Sequence, residues 1–343
     1  VDSNLTDLDF SPVELPSPHP SPRGRGGYAL ALVLFLILIS IFTYQKYLTL
    51  SNAQTQETIV IIERGMGAEE IVDKLSEAQV IRASLLFKIA TFLQKKHHLF
   101  KAGEYAFPAK SSAQEVLDRL AQGKVVRHQL TFREGLRVDE ILQMIANEKL
   151  LTGAIPADVK EGSILPETYF FLRGDSRASL VKRMQDDLQK TLQELWAQRI
   201  PNPLLPTEQD ALILASIVEK ETGIASERGL VASVFLNRLK IGMRLQSDPT
   251  TLYGVFKTRG ISKQNLTSQE LATPTDYNTY TINGLPPTPI ANVGRAALQA
   301  VLSPPSSDFL YFVANGKGGH NFARTLAEHN HNVAAYYKGL SRP

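Results

Sequence analysis

Cysteine is absent from all 343 residues, which excludes disulfide scaffolds, cysteine-ligated zinc, iron–sulfur clusters and cysteine nucleophiles together. A strong charge of either sign is missing too. The 37 basic and 34 acidic residues leave +3, too even a balance for a nucleic-acid binder, and no nucleic-acid partner is expected. No G-x-S-x-G nucleophile elbow occurs. The stretch Gly316-Lys-Gly-Gly-His320 lacks the Gly-x4-Gly-Lys-Ser/Thr spacing of a phosphate loop. Among the histidines, His329 and His331 stand two apart, which suits neither one helix face nor H-E-x-x-H, and His320 is remote from both; no metal and no cofactor is expected. What remains is a globular composition, 43% hydrophobic and 21% charged, in a length that suggests about two domains.

One segment is apolar throughout. Tyr28 to Tyr44 runs 17 residues without a charge. As a helix it is about 26 Å long, near the lower limit for a bilayer core of about 30 Å. Tyr28, Tyr44 and Tyr47 stand at its ends, where amphipathic rings favour the interface. It is longer than a signal peptide's apolar region, 27 residues precede it, and no clear A-x-A-like site follows, so a retained anchor is expected. Arg23 and Arg25 before the span outweigh Lys46 after it, which places the N-terminus in the cytoplasm and the bulk of the chain outside. The tail over residues 1–27, rich in Pro, Ser and Gly, reads as disordered.

Beyond the span a weak repeat begins. Gly65, Glu70, Ile71 and Leu75 recur at identical offsets as Gly135, Glu140, Ile141 and Ile145, and Glu115, Val116 and Leu120 repeat the spacing without the glycine. Each copy follows a strand-like run (Thr58–Ile62, Glu104–Phe107 and His128–Phe132), and Ser84–Gln94 is helical in period. Residues 58–107 therefore read as strand–helix–helix–strand. From about Leu151 the texture changes, with Pro-rich breaks around a helical run at Ser179–Gln198.

The most informative stretch is Thr207–Tyr253. Glu208–Glu221 predicts a mostly apolar helix stopped at Thr222-Gly223, with Gly223 offering a left-handed C-terminal residue. Ser226–Leu239 predicts a second helix capped by Ser226. Glu219 and Glu221 end the first helix about 200° apart, so they cannot face one cleft as a close pair, and periodicity does not choose between them. A buried carboxyl at a helix C-terminus has a raised pKa, as a general acid near neutrality needs. Three clusters follow: Gln246 and Asp248; Tyr277, Asn278 and Tyr280; and Asn315, His320 and Phe322. Amides and aromatic rings on Gly/Pro-shaped loops suit a sugar, whose hydroxyls need polar partners and whose faces pack on rings.

Leu214-Ala-Ser-Ile-Val-Glu-Lys-Glu-Thr222, Val231-Ala-Ser-Val-Phe-Leu-Asn-Arg-Leu239, Gln246-Ser-Asp-Pro-Thr250, Tyr277-Asn-Thr-Tyr280 and Tyr311-Phe-Val together resemble the endolytic murein transglycosylases of bacteria, over roughly residues 57–340. Thr288 and Val293 depart from that pattern, where Gly and Pro are usual. The resemblance implies an α+β fold: a transmembrane helix (28–44), a linker (45–57), a LysM-like α/β repeat region (58–150) and a mixed α/β catalytic domain (151–343). It also implies Glu221 as the catalytic acid, with Glu219, Gln246, Asp248, Tyr277, Asn278, Tyr280, Asn315, His320 and Phe322 toward the substrate. The expected partners are peptidoglycan strands, the bacterial inner membrane through one span, and cell-wall synthesis proteins. The expected reaction cuts the glycan between N-acetylmuramic acid and N-acetylglucosamine without water, leaving 1,6-anhydro ends and helping to terminate nascent strands. Two other readings are a wall-binding scaffold that does not cut and a hydrolase using a second acid such as Asp248.

Overall fold

A computed structural model describes residues 24–52 and 54–340; most of the expected disordered tail lies outside the described residues. The chain forms two compact units, residues 1–124 and 125–343. The first opens with α1 (Gly24–Thr49), and among the described residues this alone is long and apolar enough to cross a membrane, over Tyr28–Thr49. No part of its most apolar stretch is buried against the protein, and its length and composition suit an anchor or a signal segment alike.

The helix extends past the expected end at residue 44, and the expected linker is not loose. Tyr47 donates its hydroxyl to the Ala83 carbonyl at 3.0 Å, and Leu48 is buried. Asn52 N–H reaches Ser111 O at 3.1 Å, and Lys110 N–H reaches Gln54 O at 2.9 Å. The rest of the unit is β1 (Thr58–Ile62), α2 (Ala68–Glu77), α3 (Ser84–Leu93), β2 (Gly103–Phe107) and α4 (Ala113–Gln122). β1 and β2 pair antiparallel, Thr58 opposite Phe107 and Ile62 opposite Gly103. Val60 and Ile62 point inward with Tyr105 and Phe107, and Ile71, Leu75, Phe87, Val116 and Leu120 close the core.

The second unit contains β3 (His128–Thr131), α5 (Val138–Asn147), β4 (Thr168–Phe171), α6 (Arg177–Ala197), α7 (Glu208–Glu221), α8 (Arg228–Lys240), α9 (Asp248–Arg259), α10 (Ser268–Ala272), α11 (Arg295–Leu302), β5 (Tyr311–Ala314), β6 (His320–Ala323) and α12 (Leu326–Leu340). β3 pairs antiparallel with β4, and Phe132, Ile141, Ile145, Tyr169, Phe171, Leu180 and Met184 form one core around them. This layer straddles the expected boundary at 150/151; the compact units divide earlier, after Lys124, because the third strand–helix copy finds its partners in the second unit. A larger, helical core joins α6, α7, α8 and α11. The described strands make three separate antiparallel pairs among helices, an α+β arrangement.

The repeat has one local cause. Glu70, Glu115 and Glu140 each occupy the third position of a helix, and each carboxylate accepts the backbone N–H at the helix's own start, from Gly67, Ser112 and Arg137 at 3.0, 2.8 and 2.8 Å. Each satisfies one of the donors that a helix N-terminus leaves unpaired.

Candidate active site

α7 carries the site. Thr207 Oγ1 accepts from Asp210 N–H at 3.1 Å, and the Asp210 carboxylate returns the favour to Thr207 N–H at 3.1 Å. Every residue from Ala211 to Val218 is buried, so the helix is enclosed on all sides. It ends because Thr222 turns extended (φ −144°, ψ 130°); Gly223 is not left-handed, contrary to the expected glycine stop. α8 likewise begins with Glu227 rather than Ser226 at its cap position.

The two terminal glutamates take different surroundings. Glu219 is almost wholly buried; its carboxylate accepts Gly294 N–H at 3.1 Å and pairs with Arg228 at 3.3 Å, while Arg228 also meets Glu134 at 3.2 Å. Burial holds its pKa above the ordinary range, but this network commits it to packing, not to substrate. Glu221 faces a cleft of about 490 Å³. Burial raises its pKa to about 7, the Asp248 charge adds to the rise, and the Ser247 hydrogen bond, His320 and Arg238 oppose it. Ser247 donates its hydroxyl to Glu221 Oε1 at 2.5 Å.

Glu221, Gln246, Asp248 and Tyr280 share this cleft, with Arg238, Tyr311, Phe312, Val313, Leu326 and His329. Tyr280 donates its phenol to Asp248 at 2.6 Å. Gln246 sits at φ +49°, a left-handed backbone held by its N–H on Thr279 O at 3.1 Å. Thr279 Oγ1 accepts Ser247 N–H at 2.9 Å, fixing the residue that touches Glu221.

The other expected substrate residues lie elsewhere. Asn278 is fully buried: its amide donates to the carbonyls of Glu270, Leu271 and Thr273, and its oxygen accepts from Thr251 Oγ1 and Tyr280 N–H. It therefore supports the turn. Tyr277 packs edge-on against Tyr253 at 4.9 Å and bonds Thr288 Oγ1 at 2.8 Å, lining a different cavity. Asn315 closes its own turn through Lys317 and Gly319 N–H. Phe322 packs on the helical core. His320 donates its backbone N–H to Glu227 at 3.0 Å and sets Nδ1 2.7 Å from the same carboxylate; its charge is felt at Glu221.

The model of the YceG-like family matches residues 60–335, most of the chain. The chain belongs to the YceG-like family. It is similar to the endolytic murein transglycosylase of Bacillus subtilis (strain 168), 37% identical over 171 residues, 50% of this chain and 46% of that protein. A second protein of that name, from Streptococcus pneumoniae (strain ATCC BAA-255 / R6), is 30% identical over 227 residues, 60% of this chain and 40% of the relative. The chain thus spans about half the length of the curated relatives it matches, or less. A 2.6 Å crystal structure of a yceG-like protein of Listeria monocytogenes is 29% identical and covers 81% of this chain and 99% of its own, with a TM-score of 0.47.

In this YceG-like chain the cleft also holds residues that the sequence did not single out. Arg238, buried, donates to the carbonyls of Leu310 and Leu245 and meets no carboxylate in a salt bridge among the described residues. Arg238 is one of two arginines on α8, beside Asn237 and Lys240, so nothing in the sequence marked it out. His329 stacks on Tyr311 at 5.1 Å, and burial beside Arg238 lowers its pKa. Of the two positions where the chain departs from the expected pattern, Thr288 bonds Tyr277 and Val293 is fully buried in the helical core.

Proposed function

We propose that this protein is a lytic transglycosylase of peptidoglycan in which Glu221 alone serves as acid and then base. The observation that carries this reading is the placement of the Glu221 carboxyl, held by the Ser247 hydroxyl at the end of an enclosed helix, in a cleft shared with Gln246, Asp248 and Tyr280; burial that raises it to about 7 supports the role. The names of the relatives support the substrate class. Protonated Glu221 gives its proton to the oxygen leaving C1 of N-acetylmuramic acid. The resulting carboxylate takes the proton from that sugar's 6-hydroxyl, whose oxygen bonds to C1. The 1,6-anhydro end forms, the acid is restored and no water is consumed. Ser247 and Arg238 stabilise the carboxylate between the two transfers.

A hydrolase is the second reading, favoured by Asp248 in the same cleft. A second carboxylate could activate water, at about 6.5–9.5 Å in an inverting enzyme. Digestion of isolated sacculi followed by mass spectrometry separates the two: anhydro ends support the transglycosylase, and reducing ends replace it with the hydrolase. Sacculi left uncut by wild type would reject both.

The remaining assignments belong to the same proposal. α1 anchors the chain in the inner membrane with its N-terminus in the cytoplasm and both units outside. The strand–helix–helix–strand unit is LysM-like and holds glycan. The activity helps to terminate nascent strands beside cell-wall synthesis proteins.

A further inference from the structure

Lys220 and Glu221 are consecutive, so a helical step of about 100° sends them to different faces. Asp248 and Pro249 part in the same way at the start of α9. Glu221 and Asp248 line the cleft, whereas Lys220 and Pro249 line a second cavity of about 290 Å³ on the other side of the same junction. The chemistry proposed above does not use it. Its rim carries Arg137, Lys220 and Lys263 and its wall the Phe256 ring, and no acid is among the described residues that line it.

The three cations are not equivalent. Lys263 is paired with Glu270 at 2.7 Å. Arg137 lies over Phe256, 3.9 Å from the ring centroid, and is paired with Asp139 at 2.9 Å and with Glu140 at 3.6 Å. Lys220 donates only to a carbonyl, Gly135 O at 3.1 Å, and has no carboxylate partner among the described residues. An ammonium without a carboxylate partner, one residue along the chain from the proposed acid, thus shares a cavity with an aromatic ring.

We infer that this cavity is a subsite for an acidic peptide branch of the glycan, with Lys220 taking a carboxylate and Phe256, under the paired Arg137, the apolar part of the peptide. The inference rests on the peptidoglycan reading above. A muramyl residue bears its peptide as a side branch close to the bond that is cut. A strand seated in the cleft must therefore project that branch sideways, and the neighbouring cavity offers the matching charge.

The test measures binding, so it does not depend on turnover. The full chain in detergent, carrying Glu221→Gln, is titrated with a disaccharide peptide bearing two free carboxylates and with the same disaccharide lacking the peptide. The peptide form should bind about tenfold tighter, the size of one charge-assisted hydrogen bond, and the advantage should shrink at high salt. Lys220→Glu in this background should abolish the advantage and Lys220→Arg should keep it, with melting curves confirming that both variants fold. Equal binding of the two saccharides, or an advantage that survives Lys220→Glu, overturns the subsite. So does inorganic phosphate competing as well as the peptide. If wild type leaves sacculi uncut while the binding difference persists, the subsite stands and the transglycosylase reading falls. If sacculi are cut and the saccharides bind alike, the reverse holds.

Discussion

Replacing Glu221 by Gln should stabilise the protein at pH 8 while costing at least about 10²-fold in turnover. Burial carries the carboxyl from 4.5 to about 7, so the fold favours its protonated form. Between those pH values the folded chain holds a proton that the unfolded chain has released; stability therefore declines as pH rises through the window and levels off above it. At roughly 1.4 kcal/mol per tenfold, the ceiling on that decline is about 3.5 kcal/mol. Water in the open cleft screens the charge and reduces the expected loss to about 1–2 kcal/mol. Gln cannot ionise, yet its oxygen still accepts the Ser247 hydroxyl. The variant should thus melt about 2–8 °C above wild type at pH 8 and level with it at pH 4.5, given the usual scaling for a unit of this size. Glu161, also pushed to about 7 by burial, titrates in both proteins and cancels. Melting curves at the two pH values, with sacculus digestion alongside, decide the matter. A variant that melts below wild type at pH 8, or gains equally at both, would refute the claim that the fold strains against an ionised Glu221.

Three further outcomes follow from the packing. Asn278→Ala should cost about 2–4 kcal/mol, because it strands buried carbonyls and an N–H, while activity per folded molecule changes little; loss of activity without loss of stability would return Asn278 to the substrate. Gln246→Gly should relieve a left-handed backbone by about 1 kcal/mol yet lower activity several-fold, and a lower melting temperature would show that the side chain braces the fold. A chain starting at Gln45 should melt higher than one starting at Thr58, which lacks the backbone bonds at Asn52 and Gln54 worth about 1 kcal/mol each; equal melting would make the docking of this segment incidental.

Local signals carried far along this chain, and long-range ones did not. The helix Glu208–Glu221 could be read from its apolar run, because that cause lies within fourteen residues; its Thr207–Asp210 capping pair was not singled out. The strand Thr58–Ile62 and the helix from Ser84 were legible for the same reason. The early division after Lys124 was not, since it depends on β3 meeting a partner forty residues away. At the site, the roughly opposite facing of Glu219 and Glu221 followed from helix geometry alone. Which polar residues reach the cleft did not: Asn278 and Tyr280 share one turn, but one makes five hydrogen bonds within the fold and the other reaches out to Asp248. Composition marks both as fit for a sugar, and only the path of the turn tells them apart.

The enclosure of α7 has a consequence for how such a protein can be altered. Sliding that helix by one residue would turn the acid by about 100° and force eight buried side chains into new places at once. No gradual route leads there. Glu221 is a fixed post, and novelty must come from the walls around it. Tyr311 to Ala314 are only half-buried, and Gln246 stands on a turn rather than in a core. An engineer seeking a different ligand would recut those walls and leave the post standing.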